Sequence, residues 1–187
     1  ATPLFGLGLQ RCKIFLNVRI FFRIFVKKVS IQMEEPVINA HNKEEYPPMH
    51  TCEHILNATM VRMFGCPRSR NAHIERKKSK CDYLLPAAPT QDQIDEIVRT
   101  VNEVIGRHLD VTISFLTHEE AAKVVDLSKL PENASEMLRI VRVGDYDACA
   151  CAGAHVKNTS EVGRFEILSH DFDGTRWRVR WRVIDAG

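Results

Sequence analysis

Apolar positions recur at two different periods along this chain. From Pro47 the residues Ile55, Leu56, Met60 and Met63 repeat at helical spacing, behind two prolines that a helix tolerates only at its start and before Gly65 and Pro67. At about 100° per residue they form one stripe, while His50 and His54 fall together on a different side and project away from it. Thr90 with Gln93 forms a capping box for a second helix, whose residues Ile94, Ile97, Val98, Val101 and Ile105 keep the period up to Gly106. Strict alternation then predicts a strand over 110–116, where Val111, Ile113 and Phe115 oppose Thr112 and Ser114. Thr117 and Glu120 cap a short helix expected to run through Val125.

Strand-like runs follow over 138–143, 163–168 and 175–184, the last two joined at Asp173-Gly174, a favoured hairpin dipeptide. In the final run Arg176, Arg178, Arg180 and Arg182 point one way, and Trp177, Val179, Trp181 and Val183 the other. The stretch from Arg68 to Lys80 reads as turn-rich and basic, leading to Cys81-Asp82-Tyr83-Leu84-Leu85.

Length and composition narrow the class. With 187 residues, 44% of them hydrophobic and 27% charged, one domain with its own core is expected. Residues 1–45 read as a basic N-terminal extension and residues 46–187 as that domain. The first 32 residues hold Arg11, Lys13, Arg19, Arg23, Lys27 and Lys28 and no acid, which leaves twenty cations against 24 acids, a net −4, in the remainder. Contact with a polyanion must therefore come from local patches. Basic residues interrupt the apolar stretch from Ile14 to Val29, so it falls short of a membrane span. It reads either as a targeting or interfacial segment, or as sequence upstream of a start at Met33. Six irregularly spaced cysteines do not suggest a secreted disulfide framework and favour reduced thiols in the cytoplasm.

The chemistry is concentrated in two short motifs. His50-Thr51-Cys52-Glu53-His54 places two imidazoles one helical turn apart, and Cys151-Ala152-Gly153-Ala154-His155 adds a thiolate and a third imidazole. Zinc takes such nitrogen and sulfur ligands in tetrahedral geometry. Taken singly, a His-x3-His pair is often accidental and a buried cysteine is mostly a small hydrophobe. The first motif also fits the inverted zinc-peptidase pattern His-x-x-Glu-His, with Glu53 as general base, but that reading leaves the second motif without a task.

Together the motifs resemble the second additional (editing) domain shared by alanyl- and threonyl-tRNA synthetases and by the stand-alone AlaX group. The resemblance runs from about Tyr46 to Val183. Besides the ligand motifs it is carried by Asp82-Tyr83, Val101 to Ile105, Thr117 to Ala121, Val141 to Tyr146 and, most specifically, the run from Cys151 to Gly163. It implies an α+β fold, an antiparallel sheet with packed helices, and zinc-dependent hydrolysis of a wrong amino acid from tRNA, with His50, His54, Cys151 and His155 at the metal positions. One departure stands out: where the alanine-type motif reads Cys-Gly-Gly-Thr-His and the threonine-type reads Cys-x-Gly-Pro-His, this chain has Ala154.

The resemblance sets the functional expectations. The substrate is serine or glycine on tRNA of the alanine type, hydrolysed in trans by a short form without ATP-dependent ligation. Editing of serine on threonine-type tRNA is one alternative, and a zinc-containing module that grips tRNA without hydrolysis is another. Zinc could polarise the ester carbonyl, bind the substrate amino group or lower the pKa of a bound water. Thr51 is the expected catalytic contact to the serine hydroxyl that distinguishes the wrong substrate, with backbone capping as its ordinary role. Arg68, Arg70, Arg76, Lys77, Lys78, Lys80, Arg176 and Arg178 are the expected tRNA contacts, positioning rather than specifying it.

Overall fold

The computed structural model describes residues 46–127 and 136–184. The expectations for the first 45 residues lie outside these. The described chain is α+β, as the resemblance implies: helices α1 (Pro47–Phe64), α2 (Gln91–Gly106) and α3 (His118–Ala121), and strands β1 (Ser79–Leu84), β2 (Val111–Thr117), β3 (Met137–Val143), β4 (Asp147–Ala150), β5 (Arg164–Phe172) and β6 (Arg176–Ile184). A 3₁₀ turn spans Thr159–Glu161. The strands form two antiparallel sheets, ordered β1-β6-β5 and β2-β3-β4.

Local chemistry sets the helix ends. Pro47 and Pro48 open α1, and Gly65 closes it in the left-handed conformation, at φ 62°, donating its N–H to Val61 O at 2.9 Å. The capping box of Thr90 and Gln93 opens α2. The box of Thr117 and Glu120 opens α3, which ends at Ala121 rather than Val125; turns follow, with the N–H groups of Val124 and Val125 bonded back to Ala121 O.

The core corrects the reading of α1 as a helix with one apolar stripe. Every residue from Met49 to Met60 is buried, including both histidines, Thr51, Glu53 and Asn57. The helix packs against α2 on one side and against strands of both sheets on others, so its polar side faces protein as well. From the β6 side Trp177, Val179, Trp181 and Val183 complete this core with Tyr83 and Phe165, while the arginine row faces out as expected. A smaller cluster of Ala121, Leu138 and Ile140 fastens α3 to its sheet.

Two strands were not legible. β1 buries Ser79 and three consecutive residues, Cys81 to Tyr83, so it lacks the alternation of a one-faced strand. β4 is four residues, Asp-Ala-Cys-Ala, without a β-branched or aromatic side chain. It exists because Ile140 to Val143 offer it a paired edge.

Candidate metal centre

The two motifs meet. One atom from each of His50, His54, Cys151 and His155 lies within 4.8 Å of the others. Helical geometry supplies the first pair: His50 and His54 sit one turn apart in the buried stretch of α1, with ring centroids 5.3 Å apart. The second pair arrives on the loop after β4. Cys151 N donates to Arg139 O at 3.0 Å, and the Arg139 guanidinium returns bonds to the carbonyls of Cys151 (2.6 Å) and Gly153 (2.9 Å). That clamp holds the ligand loop against β3.

The imidazoles are held by their Nδ1 atoms. His50 Nδ1 donates to Ala154 O at 3.1 Å, His155 Nδ1 lies 3.1 Å from Thr51 Oγ1, and His54 Nδ1 lies 3.2 Å from Asp147 Oδ2, an ion-pair distance without full hydrogen-bond alignment. Each ring thus has Nε2 left for a ligand, the arrangement by which second-shell oxygens orient metal-binding histidines. The Nε2 atoms of His50 and His155 lie 3.4 and 3.5 Å from Cys151 Sγ. A tetrahedral zinc with bonds of about 2.05 Å to nitrogen and about 2.3 Å to sulfur would separate those atoms by about 3.6 Å. The donor set therefore fits zinc in both chemistry and spacing.

The electrostatics favour a Cys151 thiolate beside a neutral His155 and a protonated His54. Burial opposes ionisation of Cys151, yet hydrogen bonds from His155, His50 and His54 outweigh it and bring the thiol down to about 2. Burial pushes His155 down to about 4. It also works against the His54 cation, but Asp147 and Cys151 prevail and raise that ring to about 9. Asp147 remains below the usual carboxylate range because His54 and Arg68 overcome its own burial. A bound cation would displace the His54 proton, since a ligating ring must be neutral.

Other nominated residues are distributed differently. Thr51 is fully buried, and its hydroxyl oxygen accepts from Val156 N at 3.2 Å in addition to its contact with His155. Arg68 is bidentate on Asp147, at 2.6 and 3.1 Å. Arg178 is bidentate on Asp82, at 2.7 Å for both bonds, and Arg176 pairs with Asp173 at 2.8 Å. Arg70, Arg76, Lys77 and Lys78 are exposed on the segment before β1, and Lys80 is half-buried within it. Glu53, the base of the peptidase reading, is buried and accepts from Asn57 one turn along α1.

Asp147 and Arg139 went unnoticed in the sequence. Neither belongs to a ligand motif, and only strand pairing brings them to the loop. Among the described residues all five cysteines are free, as expected of reduced thiols. No helix among the described residues is long and apolar enough to cross a membrane.

Comparison with known proteins agrees with this geometry. Residues 138–178, which carry β3, β4, the ligand loop and the start of β6, match the threonyl and alanyl tRNA synthetase second additional domain. The chain is similar to alanine--tRNA ligase of Fervidobacterium nodosum, 33% identical over 121 residues, covering 64% of this chain and 14% of that protein. It is also similar to the alanine--tRNA ligases of Petrotoga mobilis, 30% identical over 147 residues (76% of this chain, 17% of that protein), and Bacillus mycoides, 29% identical over 143 residues (76% and 16%). The chain thus spans about a sixth of the length of these curated relatives. Its described domain belongs to the family of threonyl and alanyl tRNA synthetase second additional domains.

Proposed function

We propose that residues 46–187 form an aminoacyl-tRNA deacylase domain that hydrolyses the ester joining a wrong amino acid to tRNA, serine or glycine on alanine-type tRNA, in trans and in the cytoplasm. The observation that carries this reading is the convergence of three Nδ1-anchored imidazoles and one low-pKa thiolate on a single point. The similarity to alanine--tRNA ligases supports the choice of tRNA.

In this reading His50, His54, Cys151 and His155 hold zinc. Bound there, the ion supplies Lewis-acid polarisation of the ester carbonyl and a lowered pKa for water. The chain's own groups do the positioning: Ala154 O, Asp147 and Thr51 fix which nitrogen of each ring is available. We assign Thr51 to orienting His155, because its hydroxyl oxygen already serves two protein partners. Exposed Arg70, Arg76, Lys77 and Lys78 are the proposed contacts to tRNA phosphates, together with Lys80 on β1; Arg68, Arg176 and Arg178 are paired with acids of the chain itself.

The test is a deacylation assay with seryl-, glycyl- and alanyl-tRNA of the alanine type and seryl-tRNA of the threonine type, with and without a chelator. Release of serine or glycine from alanine-type tRNA, lost on chelation and restored by zinc, is the expected result. A zinc-loaded protein that binds tRNA and leaves every ester intact would refute hydrolysis and leave a non-catalytic binding module.

A further inference from the structure

Asp147, whose Oδ2 faces His54, also lines a cleft of about 780 Å³ between the C-terminal half of α1 and the β3–β4 turn. Arg62, Arg70, Arg142 and Tyr146 are among its walls. The guanidinium of Arg62 lies 4.0 Å over the Tyr146 ring and donates to Tyr146 O. Neither Arg70 nor Arg142 has an ion pair or hydrogen bond through its side chain among the described residues. The acids of the cleft are mostly matched elsewhere: Asp147 by Arg68 and His54, and Asp145 by Arg107 at 2.6 Å. Besides Arg68, three guanidinium groups, those of Arg62, Arg70 and Arg142, line the cleft together with Asp126, which has a partner of its own.

We infer that this cleft is a binding site for a phosphodiester of single-stranded RNA, built by Arg62, Arg70 and Arg142. Guanidinium forks match phosphate oxygens bidentately, and an arginine held over a tyrosine ring adds a π surface on which a base can stack. The sequence pointed to the run from Arg68 to Lys80; the fold instead neutralises Arg68 and gathers Arg70 with two arginines from α1 and β3. Because Asp147 both lines the cleft and faces His54, a strand held here lies one side chain away from the residues proposed to hold zinc. The identity of that strand as the 3′ end of tRNA rests on the hydrolase reading; the anion site does not.

The experiment measures binding of fluorescent uncharged tRNA by anisotropy across a salt series, for the full chain and for an R70Q/R142Q variant. Losing two phosphate contacts should make the slope of log affinity against log salt shallower by about 1.4 to 1.8 and weaken binding about ten- to thirtyfold near 0.15 M salt. An R70K/R142K variant keeps the charge and should restore the salt slope, while the loss of the bidentate forks leaves its affinity between those of R70Q/R142Q and the wild type. Unchanged slope and affinity in R70Q/R142Q would overturn the site, whether or not the wild type hydrolyses seryl-tRNA. A wild type whose tRNA binding depends on these arginines but which never deacylates would remove the hydrolase reading and leave the site standing.

Discussion

Thr51 Oγ1 lies 3.1 Å from His155 Nδ1, although 104 positions separate the two residues. The same oxygen accepts the backbone N–H of Val156, so one hydroxyl on α1 holds both the orientation of a ligand ring and the path of the loop that carries it. Thr51→Val keeps the shape and removes both contacts. Zinc affinity, measured by competition with a chromophoric chelator, should fall by about ten- to a hundredfold, as for other second-shell changes. The buried Val156 N–H left without its acceptor should cost about 1–3 kcal/mol of stability. The preference for serine over alanine should stay as in the wild type; a changed preference would return Thr51 to the substrate pocket.

Asp147 joins His54 and Arg68 in one buried arrangement. Asp147→Asn leaves the Arg68 guanidinium without its carboxylate and His54 without its anion. Removing one partner of a buried pair costs about 3–5 kcal/mol. Urea denaturation of the zinc-free proteins should show a loss on that order, and a variant as stable as the wild type would show the pair to be incidental.

Arg178 holds the Asp82 carboxyl below its ordinary pKa through its hydrogen bonds and so favours the ionised form, with Asn71 adding another bond. An acid whose folded pKa lies below its unfolded value contributes stability that is complete above the unfolded pKa and disappears as pH falls through the folded one. Wild-type protein should therefore lose stability below about pH 4 more steeply than Asp82→Asn does. Parallel acid-limb profiles for the two, from urea melts at successive pH values, would contradict the assignment.

Each arginine of the outward row of β6 is paired with an acid. Arg176 meets Asp173, Arg178 meets Asp82, Arg180 meets Asp171 and Arg182 meets Glu166. Lys77 and Lys78, by contrast, have no ion pair among the described residues. K77Q/K78Q should make the salt slope of tRNA binding shallower by about 1.4 to 1.8, whereas R176Q/R178Q should change it by less than about 1 and act mainly on stability. The reverse ranking in anisotropy titrations would put the RNA on β6.

What could be read before folding was local. Capping pairs at Thr90 and Thr117, the prolines before α1, the hairpin at Asp173-Gly174 and the alternation of Trp177 to Val183 each depend on neighbours a few positions away, and each appears in the structure. The four ligand types were likewise visible, because residue identity and i,i+4 spacing are properties of the chain itself. Burial of the histidine side of α1 was not, since it results from β-strands and α2 packed on the helix from other parts of the chain. Nor were β1 and β4, whose backbones gain their hydrogen bonds from β6 and β3. The roles of Asp147, Arg139 and the Ala154 carbonyl came from tertiary structure alone: each acts on a residue from another segment or through a backbone oxygen, and neither leaves a pattern in composition or period.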